Sequence, residues 1–118
     1  MILITPPKPD VTIFKKADPK ESHVYGFTEF HLITREQGGI FMFYNDKDEL
    51  LFVGKARKLR PRIKKHFEDS VSPIKDHRDE VAKIEVCTVE NPVHREIYET
   101  FIINDGKAKY NEEKVFFR

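Results

Sequence analysis

Two short apolar runs set the frame of this chain. Gly39-Ile40-Phe41-Met42-Phe43-Tyr44 and Leu50-Leu51-Phe52-Val53-Gly54 are separated by Asn45-Asp46-Lys47-Asp48-Glu49, a linker dense in turn formers. That pattern predicts adjacent antiparallel strands joined as a hairpin. Side chains alternate across a strand, so Phe41 and Phe43 share one face, Met42 and Tyr44 the other, and Leu50, Phe52 and Gly54 go together on the second strand. Gly54 removes a side chain where that strand ends, so another backbone, a side chain or a phosphate can approach closely there. Lys55 is delivered at that opening.

Past Gly54 the period changes. Leu59, Ile63 and Phe67 recur every four residues, the buried stripe of a helix, with Pro61 in its first turn, where a missing N–H costs nothing. Residues 82–89 alternate again, with Ile84, Val86 and Thr88 opposite Glu85, Cys87 and Val89, as in a third strand partly exposed on one face. Asn91 as N-cap and Pro92 at the first helical position open a second helix, expected to reach Ile103 or Asn104 and stop at Asp105-Gly106. Its apolar stripe is expected at Val93, Ile97 and Phe101, with Glu96 and Glu99 away from it.

The flanks are less regular. Residues 27–37 suggest a short helix halted by Gly38-Gly39; residues 68–73 read as a loop and residues 74–81 as a polar helix. Pro6-Pro7-Lys8-Pro9, Asp18-Pro19 and Gly26 break up residues 1–26, which leaves room for a short strand at Val11-Thr12-Ile13-Phe14 in an arm packed on the surface. At the other end, Val115-Phe116-Phe117 lie in an extended tail and are available to cover apolar surface. The fold class is therefore α+β: a small three-stranded antiparallel sheet flanked by helices, with an N-terminal arm and short helix. The expected organisation is one domain over residues 1–118, with the arm at 1–26, the core at 27–111 and the C-terminal tail at 112–118.

Composition narrows the chemistry. With 39% hydrophobic and 35% charged residues and ten Phe, the 118-residue chain reads as an ordinary soluble globular protein rather than a disordered one. Cys87 is the single cysteine, which excludes an internal disulfide and a multi-cysteine zinc site. Met-Ile-Leu-Ile-Thr at the start is too short for a signal peptide and no run approaches a membrane span, so a cytoplasmic protein without a membrane partner is expected. Charge is unevenly spread. Between Lys55 and Lys65 there are seven Lys or Arg and no acid, in a chain of net charge +1, so the other residues sum to −6. Arg62 and His66 lie one turn apart on a common face, and the start of their helix offers unpaired N–H groups. A phosphate is the natural ligand; a solvated basic helix is the plainer alternative.

Gly39-Ile40-Phe41, then Phe52-Val53-Gly54-Lys55-Ala56, then Leu59 and Arg60-Pro61-Arg62, resemble the GIY-YIG endonuclease module, in particular the N-terminal nuclease domain of excinuclease C. Downstream, Glu96-Ile97-Tyr98-Glu99-Thr100-Phe101-Ile102-Ile103 and Ala108-Lys109-Tyr110-Asn111 resemble that family's acidic helix and its closing Lys-Pro-x-Tyr-Asn segment, with Ala108 in place of proline. Roughly residues 38–111 are covered by three motifs in the same order.

The resemblance implies roles. Glu99 matches the catalytic Glu by its spacing to Asn111 and would hold Mg²⁺, or Mn²⁺, with no other small-molecule cofactor; Glu96 is the nearby bystander. Arg62 matches the arginine on the scissile phosphate, where a planar five-donor fork suits the task. Lys55 follows the second signature triplet, to hold a phosphate oxygen or lower a neighbour's pKa. His66 stands where family members carry Tyr or His and is the candidate base. Asn111 would fix the closing segment. DNA is the partner implied, gripped by Lys55, Arg57, Lys58, Arg60, Arg62, Lys64 and Lys65; any repair-protein partner is unspecified. Both signature tyrosines are replaced, by Phe41 and Phe52, which keep the ring and lose the hydroxyl, so neither can accept a proton or bond a phosphate.

Three readings follow: a metal-dependent endonuclease that hydrolyses DNA phosphodiesters, in repair or processing; a catalytically impaired DNA-binding module derived from one; and a protein-interaction domain whose basic helix meets an acidic partner.

Overall fold

The computed structural model describes residues 4–16 and 24–117. Its centre is a four-stranded antiparallel sheet of β1 (Val11–Phe14), β2 (Gly39–Tyr44), β3 (Leu50–Ala56) and β4 (Lys83–Thr88), in the order β1-β4-β2-β3. Four strands replace the three expected, because the proline-rich arm supplies one. Val11 to Phe14 pair with Val86 to Lys83. Alternation explains the pairing: Ile13 is buried in the core while Phe14 points outward, and the Asp10 side chain accepts the Thr88 N–H. This second neighbour makes β4 an interior strand. Ile84 and Val86 are buried on one face and Cys87 on the other, while Lys83, Glu85 and Thr88 stay half-buried, so the strand is partly exposed, as its sequence suggests.

The hairpin forms where expected, with one irregularity. Phe43 pairs with Phe52 but Tyr44 pairs with Leu50, so Leu51 is an extra residue, a β-bulge. As a result Leu51 and Phe52 pack on the same face while Leu50 joins Tyr44 and Val53 on the other. The expected grouping of Leu50 with Phe52 is thereby overturned. At the far end the pleat is regular again, and a Cβ on Gly54 would collide with the Phe41 ring, so glycine here admits an aromatic side chain.

Helix α1 (Leu59–His66) lies on the aromatic face, burying Leu59 and Ile63 with Phe67 just beyond its end. Pro61 sits in its first turn, where the amide has no intrahelical partner. Helix α2 (Pro92–Asp105) covers the opposite face. Asn91 caps it, its Oδ1 accepting the N–H groups of Val93 at 2.8 Å and His94 at 3.3 Å. The two other expected helices are reduced to single 3-10 turns, Phe30–Leu32 and Arg78–Glu80. In the first, three-residue spacing lets Phe27, Phe30 and Ile33 all reach the core, with the rings of Phe27 and Phe30 against Phe67. In the second, Ile74 and Val81 are the buried anchors of an irregular loop.

Candidate functional site

β3 is an edge strand, and an unpaired edge needs a cover. The closing segment supplies it over one half: Lys109 and Tyr110 N–H donate to the carbonyls of Leu50 and Leu51 at 3.1 and 2.7 Å. Asn111, buried, then bonds the Val53 backbone twice, its Oδ1 accepting the Val53 N–H and its Nδ2 donating to the Val53 carbonyl, both at 2.9 Å. Tyr110 is itself held, its ring stacked 3.9 Å from His77 and its hydroxyl donating to Glu80 at 2.8 Å. The cover stops at Asn111. Beyond it a cleft of about 470 Å³ opens, lined among others by Phe52, Gly54, Lys55, Arg62, His66 and Glu99.

The two helices lie on opposite faces of the sheet, yet both reach this cleft, because only one strand width separates them at an edge. α1 sends in Arg62 and His66; α2 sends in Glu99; β3 provides Lys55 on the α2 side, where it pairs with Glu96. Glu99 is buried, 7% exposed, and accepts a hydrogen bond from Lys114 Nζ at 2.6 Å. Glu96 remains half exposed between Lys55 and Lys114, whose hydrogen bonds, Lys114 first, hold its carboxyl down to about 2.

The expected stripe on α2 is overturned. Val93 and Ile97 are 65% and 44% exposed, whereas Arg95, Glu99 and Ile103 face inward. Polar groups can take the inner face because each is satisfied: Arg95 donates through Nε to the Val89 carbonyl at 2.6 Å and through Nη2 to that of Glu90 at 2.8 Å. Among the described residues no buried side-chain nitrogen or oxygen lacks a partner.

His66 sits against the rings of Phe52, Phe41 and Phe43, at centroid distances of 4.9, 5.4 and 5.9 Å. Burial there pulls its pKa down from 6.5 to about 4, the nearby Asp69 opposing and Arg62 and Arg78 assisting. Its Nδ1 lies 2.7 Å from the hydroxyl of Ser72, a buried residue that no motif marks. Ser72 is fixed in turn: its N–H donates to Asp69 Oδ1 at 2.9 Å, and its Oγ accepts the Ile74 N–H at 3.2 Å. The only hint in the sequence is Asp69, a turn former three residues before the serine. Lys114, the other site residue that the sequence does not flag, belongs to no motif at all.

The basic residues divide by what they touch. Arg57, Lys58, Arg62 and Lys65, with Pro61 and Glu36, line a second open depression of about 650 Å³ beside α1, and Arg62 borders both cavities. Arg60 differs: its Nε and Nη2 donate to the carbonyls of Ile33 and His31 at 2.7 and 2.8 Å, so it braces the 3-10 turn. Lys64 is half-buried on α1. Of the motif phenylalanines, Phe52 borders the cleft and Phe41 is fully buried behind it. Cys87 is buried and its thiol is pushed up to about 12, chiefly by burial, which leaves no thiolate for chemistry at neutral pH.

Comparison with known proteins matches residues 37–112 to the family model of the UvrC-like GIY-YIG domain. The protein YurQ of Bacillus subtilis (strain 168), described as uncharacterized, is 63% identical over 124 residues, covering 100% of both chains. UvrABC system protein C of Pseudoalteromonas atlantica is 31% identical over 77 residues, which are 64% of this chain and 13% of that protein. Among solved structures, the N-terminal endonuclease domain of UvrC from Thermotoga maritima bound to magnesium is similar with a TM-score of 0.63 at 24% identity, over 71% of this chain and 93% of that one. A Tyr-to-Phe point mutant of the same domain, bound to its catalytic divalent cation, gives 0.63 at 25% identity with the same coverage.

Proposed function

The chain belongs to the UvrC-like GIY-YIG domain family, and from that premise we propose that it is a divalent-cation-dependent endonuclease acting on DNA phosphodiesters at the edge of β3. One observation carries the reading: a buried carboxylate, Glu99, lines the same cleft as Lys55, Arg62 and His66. A carboxylate taken out of water is kept with a cation, here the Lys114 ammonium at 2.6 Å, and the same oxygens are of the kind a hard metal ion takes.

The residues fit a hard cation. Mg²⁺ takes oxygen ligands, keeps several waters, and is commonly held by one or two carboxylates together with a substrate phosphate. Glu99 on a rigid helix would be that carboxylate, and the donor set contains no thiolate to favour a softer metal. The ion, when bound, would neutralise charge developing on the leaving oxygen. A Tyr-to-Phe mutant of the Thermotoga maritima domain is described as still bound to its catalytic cation, which supports cation binding beside a phenylalanine such as Phe52.

In this proposal Arg62 clamps the scissile phosphate, its exposed guanidinium bordering the cleft and the basic depression beyond it. Lys55 adds a second positive charge. The flanking strand would track along Arg57, Lys58, Lys64 and Lys65, whose contacts position DNA without reading its sequence. His66 takes the proton from water. If Nδ1–H donates to Ser72 Oγ, then Nε2 carries the free lone pair, and a depressed pKa keeps the ring neutral at pH 7. An incoming phosphate raises that pKa toward the working range.

The test is plasmid nicking in Mg²⁺ or Mn²⁺. Wild type should nick, and Glu99→Gln should lose at least a factor of about 10²; nicking unchanged in that variant overturns the assignment. Phe52→Tyr, which puts a hydroxyl at the cleft wall, should raise the rate by a factor of about 10², and Phe41→Tyr, buried behind it, should not. A second reading has its own support in Phe41 and Phe52: a module that grips DNA and does not cut. It predicts retention on DNA that weakens steeply with salt and no nicking in any metal.

A further inference from the structure

The cation that faces Glu99 belongs to the chain itself. Lys114 Nζ lies 2.6 Å from Glu99 Oε1 and 2.6 Å from Glu96 Oε1, while Glu96 Oε2 pairs with Lys55. Positive and negative groups therefore alternate across the cleft wall, and an ammonium covers the buried carboxylate.

The tail is built to keep it there. Lys114 adopts φ 62°, the left-handed region that a lysine seldom occupies. Asn104 of α2 clasps the backbone just after it: its Nδ2 donates to the Lys114 carbonyl at 2.8 Å and its Oδ1 accepts the Phe116 N–H at 2.6 Å. Val115 and Phe117 then pack against the apolar cluster under α2. A lysine that merely solvates a surface has no use for a strained backbone, an amide clasp and two apolar anchors.

We propose that Lys114 is a tethered competitor for the divalent cation, so that the C-terminal tail sets the metal affinity of the cleft. Ammonium and metal contend for the same carboxylate, and like charges at that separation repel. This inference rests on the nuclease reading and adds a regulator to its site.

Mn²⁺ binding to the full chain, measured by titration calorimetry without DNA, tests it. Lys114→Gly suits the left-handed backbone and removes the amine; Lys114→Met removes the charge and keeps the stem. Both should bind Mn²⁺ about ten- to a hundredfold more tightly than wild type, the range expected for losing a rival charge-assisted hydrogen bond. Adding Glu99→Gln should abolish the gain. If neither variant binds more tightly while Glu99→Gln alone still weakens binding, the competitor idea falls and the nuclease reading stands. If no form of the protein binds Mn²⁺, both fall. Should the position-114 variants not fold, Asn104→Ala keeps the lysine and loosens its clasp: tighter binding supports the proposal, and unchanged binding overturns it.

Discussion

The two helices obey different rules. α1 buries the stripe that its sequence advertises, Leu59 and Ile63, and turns Arg62 and Lys65 outward. α2 does the reverse: Val93 and Ile97 face solvent, and a glutamate and an arginine face in. α1 is placed chiefly by apolar burial, with Arg60 bracing it against the Ile33 and His31 carbonyls. On α2 the apolar positions yield because Arg95 has two carbonyls to bond and Glu99 has Lys114. Where local pattern and tertiary structure disagree, a functional demand is the usual cause, and here the disagreement centres on the carboxylate of the candidate site.

Mutations should separate the two helices by size of effect. Leu59→Ala removes a fully buried side chain at the α1–sheet contact and should cost about 2–5 kcal/mol in urea unfolding; a loss below about 1 kcal/mol would show that α1 is not packed as described. Next in size is His66, at the end of α1. Its pKa is lowered from 6.5 to about 4 on folding, so between those values the unfolded chain binds more protons than the folded one. Its contribution is complete above about pH 6.5 and is lost as pH falls toward 4, about 2–3 kcal/mol by pH 4.5. Unfolding titrations should show that slope, and His66→Gln should flatten it; an equal slope in the variant would assign it elsewhere. The smallest effect belongs to α2. Ile97→Ser alters a residue 44% exposed and should shift stability by about 0.5 kcal/mol or less. A loss comparable to that of Leu59→Ala would mean that the apolar stripe of α2 is buried after all.

What could be read from the sequence follows the same division. The hairpin, the α1 stripe and the Asn91-Pro92 helix start rest on period and turn chemistry within a few residues, and they formed at the expected places. Glu99, Arg62, Lys55 and His66 stand at positions that only spacing within a family pattern marks, and such a pattern carries three-dimensional information that periodicity lacks. The rest depended on distant partners. The bulge at Leu51 shows only in the register with β2, the strand at Val11–Phe14 only in pairing with β4. The rotation of α2 needs the Val89 and Glu90 carbonyls, and the grip of Lys114 on Glu99 needs Asn104 to bend the tail. Ser72 becomes visible only when the loop after α1 returns it to His66.

Locating the metal would test the whole account most directly. Crystals grown with Mn²⁺ and a short DNA duplex should give an anomalous peak on the Glu99 carboxylate, with Lys114 displaced from it and a DNA phosphate between the ion and Arg62. A peak confined to exposed carboxylates, with Lys114 still bonded to Glu99 and the DNA lying away from β3, would contradict it.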